Sequence, residues 1–569
     1  MVPQGAPSRP RDEPPATRGP SAEQQRLINH IEAAANQHQL DDASRAVVHF
    51  LQKRIKRAPA RHRPPRQARR TQQPSNRVQE ATRLQALYRS NRKRALQSIL
   101  DDSAATCGIN KQEVFQHFSS LAQERDGENV WPNVLSLPPP VEDSDSALMS
   151  PFSAKEVYAK LRSRSDTAPG PDGVRYSQIR KTDRGAYVIT ALYNAVWRLQ
   201  MIPDTWKDSP TSLIFKKGDV DNINNWRPIA VGDTCRKLFA ALLAERLKTW
   251  ARVNGRFNPS QKGFLDYEGC FEHNFVLQQA IHRAKEDKRE LVMVWLDFSS
   301  AFSSLPHSSI TRALREHQVP CHLRNIIERL YSGSRTRIRT IDGLTDSINM
   351  EAGVKQGCPL SPDIFNLTLE VVLRHAASIG VGFKLDDEML LSVLAYADDL
   401  VLLADSEEGM RRHLEATQEA ARAIGLSFNP DKCASLHIRP DGVRNTRYSV
   451  QDVLIAALGP EDTYTHVNSY GIPDPSDAMQ HTRGHDHRPA KDRRVTACPL
   501  AEVRRSRKLH PAEAGLCHAG RRDQPRTPDG GRRGCEEVGQ EVDGSPSASQ
   551  SGACLCITVD GRGRPVAPQ

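Results

Sequence analysis

Two apolar runs, residues 394–397 and 400–403, flank a pair of adjacent carboxylates, Asp398 and Asp399. Each run has the length of a buried strand, and the Asp pair falls where a tight hairpin turn would lie. The pattern predicts a rigid hairpin with two negative charges at its tip, a geometry suited to binding a divalent metal ion through oxygen ligands. Taken alone, an ordinary Asp-rich turn between two core strands explains the same residues.

A third carboxylate, Asp297, ends the most apolar strand candidate of the chain, residues 291–296, and a helix is predicted to follow from near Ser308. A carboxylate at the end of a buried strand costs free energy unless something pairs with its charge. A metal ion supplies that partner where other carboxylates converge, and a helix-capping Asp is the alternative. If this strand and the hairpin of Asp398 and Asp399 are neighbours in one antiparallel sheet, the three carboxylates converge.

A loop bounded by Gly and Pro, residues 353–362, precedes another predicted helix. Gly357 allows a ligand to approach the backbone closely, and Gln356 offers an amide for hydrogen bonding. Ser361 is predicted as the N-cap of the helix.

Basic residues follow short strand candidates in the region upstream. Lys216 directly follows the strand candidate 213–215. The segment 225–229, which contains Arg227, leads into a long amphipathic helix. Basic groups at such positions can bind phosphates, although a surface hairpin with lysine has the same pattern. The folded unit is expected to begin near Phe152.

The two ends of the chain are expected to be non-globular. Residues 1–75 are predicted to be a disordered basic leader, interrupted by a helical patch from about residue 25 to 51, whose basic clusters suit nucleic-acid binding or nuclear import. Residues 76–150 are predicted to form a basic helical extension and a Pro-rich linker. Apolar periodicity vanishes after about Pro460, and residues 451–569 are predicted to be non-globular, either as a disordered tail or, as the sharper hypothesis, through out-of-frame translation.

Composition narrows the class of protein. The chain has 79 Lys and Arg against 68 Asp and Glu, a net charge of +11, which suits a polyanionic partner. Its 11 cysteines are scattered, so neither a disulfide framework nor a zinc finger is expected. The sequence has no signal-peptide core and no apolar run near the ~20 residues of a membrane span. We therefore expect a soluble intracellular protein, placed in the nucleus by its basic segments.

Three converging carboxylates are the ligand type of sites that hold two Mg²⁺ ions for in-line attack at phosphorus, about 3.5–4 Å apart. Seven segments in order resemble the reverse transcriptase domain of non-LTR (LINE-type) retrotransposons over residues 150 to about 435. The four segments that resemble polymerase motifs A to D are residues 296–302, 353–362, 396–399 and 425–432. The three that resemble fingers motifs are residues 168–173, 225–229 and 261–264.

The resemblance implies roles for individual residues. Asp297 and Asp398 would ligate the catalytic metals with the help of Asp399, and Lys432 would donate a proton to pyrophosphate. Five residues would contact the nucleotide: Phe302 as the aromatic that excludes a ribose 2′-hydroxyl, Gln356 and Gly357 beside the incoming nucleotide, and Lys216 and Arg227 on its triphosphate. Mg²⁺, as two ions, is the expected cofactor, with Mn²⁺ as an alternative.

The implied fold class is α+β. It is a right-hand polymerase with fingers at residues 151–290, a palm with an antiparallel sheet at residues 291–450, no recognisable thumb, and disordered basic termini. The implied activity is RNA-directed DNA polymerisation, with an RNA template, a DNA primer or target and dNTPs as partners and no membrane. A catalytically idle, nucleic-acid-binding remnant is the alternative from another class. A group II intron-type or telomerase-like polymerase fits the fingers motifs and the context of Ala301 and Phe302 less well. Oligomeric state, template and target remain open at this point.

Overall fold

The computed structural model describes residues 19–52, 107–123, 131–134, 137–167, 169–215, 219–266, 269–460, 462–464 and 470–471, all of which fall in the compact unit Met1–Ala501. The chain has a mixed α+β fold, as predicted. Its helices are α1 (Ala22–Glu32), α2 (Gln37–Gln52), α3 (Lys111–Ala122), α4 (Ser144–Met149), α5 (Ala154–Ser163), α6 (Tyr176–Thr182), α7 (Tyr187–Leu199), α8 (Thr234–Val253), α9 (Gly269–Glu286), α10 (Ala301–Ser304), α11 (His307–Glu316), α12 (Cys321–Tyr331), α13 (Ser361–Ser378) and α14 (Glu407–Ala423). Its strands are β1 (Thr211–Phe215), β2 (Trp226–Ala230), β3 (Leu291–Leu296), β4 (Arg335–Thr336), β5 (Ile338–Thr340), β6 (Gly343–Leu344), β7 (Ile348–Asn349), β8 (Phe383–Lys384), β9 (Leu390–Leu391), β10 (Val393–Tyr396), β11 (Asp399–Ala404), β12 (Ala434–Arg439), β13 (Gly442–Arg444), β14 (Ser449–Val450), β15 (Val453–Leu454), β16 (Ala456–Ala457), β17 (Thr463–Tyr464) and β18 (Tyr470–Gly471).

A six-stranded sheet forms the centre of the fold. Its strand order is β10-β11-β3-β12-β13, and β16 pairs with β12. The pairs along this order are antiparallel, whereas β16 runs parallel to β12. Strand β3, which precedes Asp297, pairs directly with β11 of the hairpin that contains Asp398 and Asp399. The two are therefore neighbours in one sheet, which is the condition for the three carboxylates to converge.

Helices cover both faces of this sheet. Val292 and Val294 of β3 are buried in one apolar cluster together with residues of α13 and α14. Leu291 and Met293 are buried in a second cluster, against α9. A strand that is buried on both faces needs apolar residues at every position, which is why residues 291–296 read as an unbroken apolar run.

A smaller four-stranded sheet, in the order β2-β1-β5-β6, lies upstream in the chain. Trp226 of β2 and Ile338 of β5 pack with Val114 and Phe118 of α3 in a third cluster. The segment predicted as a helical extension and linker, residues 76–150, thus contributes to this core through α3. Within the same segment, Pro138 accepts a hydrogen bond at its carbonyl from Arg256 (2.9 Å), so the Pro-rich stretch packs against the folded unit.

The prediction of a disordered leader is wrong for residues 19–52. Helices α1 and α2 bury Ile31, Leu40 and Val47 completely in the cluster that also holds the apolar side of α7. Arg198 of α7 donates hydrogen bonds to the carbonyls of Glu32 (3.0 Å) and Ala34 (2.8 Å). The helical patch was visible in the sequence, but its packing partner lies more than a hundred residues away. The basic clusters of the leader and the helix predicted from residue 77 to 100 lie outside the described residues.

The expected boundary of the non-globular tail, at residue 451, is also wrong. Ile455 and Leu458 are buried, and β16 pairs with Ala434 and Ser435 of β12. Residues 453–458 form a short apolar run. This run is not apparent when composition is averaged together with the Arg- and Gly-rich sequence that follows it. The predicted tail beyond residue 471 lies outside the described residues.

Candidate active site

The three predicted carboxylates lie at one edge of the six-stranded sheet. Leu296, the last residue of β3, is opposite Leu400 of β11, so the same register extended by one residue places Asp297 opposite Asp399. Tyr396 pairs with Asp399, which leaves Ala397 and Asp398 as the turn of the hairpin. We call β10, β11 and this turn the carboxylate hairpin. The strand lengths and the pairing therefore bring Asp297 and the Asp pair together.

Ala397 adopts an unusual backbone conformation in that turn. Its φ angle is 58°, in the left-handed region that side chains with a Cβ rarely occupy. A positive φ at the first of two turn residues is the requirement of a type II′ hairpin turn, and glycine is the usual occupant. The backbone beside Asp398 is thus strained, and such strain persists only where surrounding contacts hold it.

Burial and neighbouring carboxylates raise the pKa of Asp398 and of Asp399. Burial, then the charge of Asp398, then that of Asp297 raise the pKa of Asp399 to about 8. Burial and the charge of Asp297 also raise the pKa of Asp398, while Arg227 and Lys432 act in the opposite direction. Like charges that are partly removed from water are unfavourable together unless a cation is present. The site is therefore arranged to attract positive charge.

Two basic residues predicted for the site lie near these carboxylates. Lys432, in a short 3-10 helix (Pro430–Lys432), places its Nζ 3.4 Å from Oδ1 of Asp297. The backbone amide of Asn429 donates a hydrogen bond to the carbonyl of Asp297 (2.8 Å), which fixes this segment beside β3. Arg227 is exposed on β2 and lowers the pKa of Asp398. Lys216 lies outside the described residues.

The donor set fits a hard divalent cation such as Mg²⁺ but does not enclose one. Among the described residues, no group of three or more His, Cys, Asp or Glu side chains is arranged to hold a metal ion. Mg²⁺ is commonly held by one or two carboxylates, with water and substrate phosphate oxygens completing its coordination. Asp297, Asp398 and Asp399 are the carboxylates that this sheet edge brings together.

Phe302 forms an aromatic stack with two neighbours. It lies in α10, directly after β3 and Asp297. Its ring stacks on that of Phe365 of α13, with the centroids 4.6 Å apart, and meets Phe264 edge to face at 5.9 Å. The stack fixes the plane of the Phe302 ring, four residues beyond the start of the loop that follows Asp297.

The loop of Gln356 and Gly357 lies between Phe302 and β2. On one side, the amide of Val354 donates a hydrogen bond to the carbonyl of Phe302 (2.6 Å). On the other, the amide of Ala230 donates to the carbonyl of Gln356 (2.8 Å). Gly357 has a φ of 103°, and a Cβ there would lie 2.9 Å from the carbonyl oxygen of Ala230. The loop thus connects the backbone of Phe302 with strand β2, which also carries Arg227.

The N-cap prediction for α13 is wrong by one position. The N-cap residue is Leu360, which makes no side-chain capping bond, and Ser361 is the first helical residue. The Ser361 hydroxyl instead donates to the carbonyl of Lys355 (2.9 Å), so it stabilises the preceding loop.

Gln261 and Gly353 were not assigned a role from the sequence. Gln261 is 1% exposed and contacts the turn of the carboxylate hairpin. A Cβ on Gly353, whose φ is 87°, would lie 2.6 Å from the carbonyl oxygen of Ser303. The only sequence signal for either residue was its place beside other glycines and polar residues in a segment that resembles a known motif.

Comparison with known proteins agrees with this geometry. A family model described as reverse transcriptase (RNA-dependent DNA polymerase) matches residues 214–482. The chain is 32% identical over 296 residues to a Pol polyprotein of the type-1 retrotransposable element R2 from Popillia japonica, covering 51% of this chain and 40% of the relative. It is 31% identical over 328 residues to the R2 polyprotein of Nasonia vitripennis, covering 56% of this chain and 31% of the relative.

A more distant relative is the probable RNA-directed DNA polymerase from transposon BS of Drosophila melanogaster, 24% identical over 347 residues, with 58% of this chain and 36% of the relative covered. The chain therefore spans well under half the length of each of these three relatives. None of the helices in the described part of the chain is long and apolar enough to cross a membrane. Residues 214–482 therefore match a reverse transcriptase domain, and the chain is related there to proteins of the non-LTR retrotransposons R2 and BS.

Proposed function

We propose that this chain is an RNA-directed DNA polymerase that extends a DNA primer with dNTPs and copies an RNA template. The observation that carries the proposal is the meeting of Asp297 with the carboxylate hairpin at one sheet edge, beside Phe302 and the loop of Gln356. Nucleotidyl transfer that selects dNTPs requires carboxylates for metal ions, an aromatic side chain that restricts the space around the sugar, and basic groups that bind phosphates.

In this proposal the six-stranded sheet is the polymerase palm, and helices α5 to α8 with the four-stranded sheet form the fingers. Asp297 and Asp398 would hold Mg²⁺, with the assistance of Asp399. When bound, the two ions lower the pKa of the primer 3′-hydroxyl and stabilise the charge on the leaving pyrophosphate.

The remaining roles belong to side chains and the backbone. Arg227, exposed on β2, and Lys216 bind the triphosphate electrostatically. Phe302 excludes a 2′-hydroxyl because its ring cannot move away while it is stacked on Phe365. Lys432 is held near Asp297 by their ion pair and supplies a proton to the departing pyrophosphate. The loop of Gln356 and Gly357 orients the base and sugar.

Primer extension on an RNA template with dNTPs tests the proposal. Asp398→Asn should abolish Mg²⁺-dependent extension. The chain offers a matched control, because Asp386 and Asp387 are another adjacent Asp pair, exposed in the loop between β8 and β9. Asp387→Asn should extend the primer like the unaltered protein.

Two results would contradict the proposal. Extension that survives Asp398→Asn unchanged would remove the metal-site assignment. Binding of RNA without any extension by the unaltered protein would favour the idle nucleic-acid-binding remnant instead.

A further inference from the structure

Gln261 makes three hydrogen bonds through its side-chain amide, two of them to the turn of the carboxylate hairpin. Its Oε1 accepts from the amide of Ala397 (2.8 Å) and from the amide of Gly263 (2.7 Å). Its Nε2 donates to the carbonyl of Ala397 (3.2 Å). Both backbone polar groups of the strained residue are thereby paired by one side chain that is 1% exposed.

The backbone around Gln261 lies directly against the hairpin. The amide of Ala395 donates to the carbonyl of Ser260 (3.0 Å), and the amide of Lys262 donates to the carbonyl of Ala395 (2.9 Å). A Cβ on Gly263 would lie 2.1 Å from the backbone nitrogen of Ala397, so only glycine allows this approach. The segment therefore behaves as an added short strand on the outer side of β10.

The segment that carries Gln261 is itself tied to helices. Asn366 of α13 donates to the carbonyl of Gly263 (2.9 Å), and Glu370 of α13 accepts from the amide of Asn258 (2.7 Å). Lys248 of α8 donates to the carbonyl of Phe264 (2.8 Å). Helix α13 also carries Phe365, on which Phe302 stacks. A single rigid helix thus sets the position of the aromatic ring and, through Gln261, that of the turn.

We propose that Gln261 is a positioning residue that holds Ala397 at its positive φ and so fixes Asp398 for catalysis; its catalytic consequence rests on the proposed function. The chemistry requires an amide, since one acceptor and one donor must meet the N–H and the C=O of the same residue. Methionine matches glutamine in length and provides neither group, so Gln261→Met removes the bonds with little change of volume.

Amide hydrogen exchange of the metal-free, full-length chain tests the contact itself. In Gln261→Met, peptides that cover residues 394–400 should exchange about tenfold faster or more, because two buried backbone groups lose their partner. Peptides from β3 and β12 should exchange as before. Ser260→Ala is the matched control: its hydroxyl donates to Asn258 (2.8 Å) within the same segment, and the hairpin should keep its protection.

Steady-state extension tests the positioning role. Gln261→Met should lower kcat by about tenfold or more while the KM for dNTP stays within about twofold, because Arg227 and Phe302 are untouched. Adding Ala397→Gly should restore kcat of Gln261→Met by about fivefold, because glycine adopts a positive φ without the cost that a Cβ imposes. A contact that matters only for overall folding would give no such rescue.

Unchanged exchange of residues 394–400 in Gln261→Met would overturn the proposed contact. Faster exchange with unchanged kcat, or a kcat loss that Ala397→Gly does not relieve, would overturn the positioning role. If the unaltered protein extends no primer, the proposed function fails, and the exchange experiment still decides whether Gln261 holds the turn.

Discussion

Phe302 and Phe365 stack nearly face to face, with planes 15° apart and centroids separated by 4.6 Å. One ring follows the strand that ends at the first carboxylate, and the other belongs to α13 in the core. Because Phe365 is fully buried, it gives Phe302 a support that does not yield. The rigidity of this pair leads to the first prediction.

Phe302→Ala should raise the ratio of ribonucleotide to deoxynucleotide incorporation by about tenfold or more, since removing the ring opens space for a 2′-hydroxyl. The measurement is kcat/KM for rNTP and dNTP in primer extension. Phe271→Ala, on an aromatic that is 50% exposed on α9, is the control and should leave the ratio unchanged. An unaltered ratio in Phe302→Ala would refute the role of the ring.

Gly353→Ala should be more damaging than its backbone angle alone explains. The new Cβ would lie 2.6 Å from the carbonyl oxygen of Ser303, and the loop with Gln356 would have to move away from Phe302. Gly343 has a φ of 105° and open space within 4 Å of the position that a Cβ would take, so Gly343→Ala imposes backbone strain without a clash. We expect a loss of about 1 kcal/mol of unfolding free energy for Gly343→Ala and about 3 kcal/mol for Gly353→Ala.

Denaturant unfolding of both variants measures this difference, and extension at varied dNTP concentration shows its effect on the site. Only Gly353→Ala should raise the KM for dNTP. Equal losses of stability in the two variants would show that the contact with Ser303 does not restrict the loop.

Lys432→Met should slow nucleotide addition by about tenfold or more, if this amine supplies the proton to pyrophosphate. The side chain is 62% exposed, so its loss should change the free energy of unfolding by less than about 0.5 kcal/mol. Single-turnover extension measures the chemical step separately from binding. An unchanged rate of that step would assign Lys432 to electrostatic support of Asp297 alone.

A half-buried carboxylate outside the carboxylate hairpin, Asp172, should make stability depend on pH. Burial, followed by the charge of Asp233, raises the pKa of Asp172 from 3.8 to about 7. The folded protein therefore keeps a proton that the unfolded chain has already lost between these values, so the free energy of unfolding falls as pH rises from about 4 to about 7.

Asp172→Asn removes this titration, and its stability should decline less steeply with pH than that of the unaltered protein. Denaturant unfolding at pH 5 and pH 8 measures the two slopes. Parallel slopes would show that Asp172 does not titrate in this range in the folded state.

Sequence patterns predicted those parts of the site that depend on local periodicity. The apolar runs around Asp297 and around Asp398 and Asp399 indicated the strands and the turn. The pair of Asp386 and Asp387 shows the limit of this pattern. It is the same dipeptide in a loop between two strands, but its side chains are exposed.

Features set by distant packing could not be predicted in this way. Gln261 looks like any polar loop residue until Ala397, more than a hundred positions later, lies against it. Helices α1 and α2 were visible as a helical patch, but only their contact with α7 makes them part of the core. The pairing of β16 with β12 involves only two residues of each strand, which is too short for an alternating apolar and polar pattern.

The pairing of β16 with β12 determines where the folded unit can be shortened. A chain that stops at residue 450 would leave the backbone N–H and C=O groups of Ala434 and Ser435 open at the outer side of β12. Unpaired strand edges recruit strands from other molecules, so such a fragment should self-associate and lose solubility. A chain that stops at residue 460 keeps this edge covered and should remain monodisperse, although it is only ten residues longer.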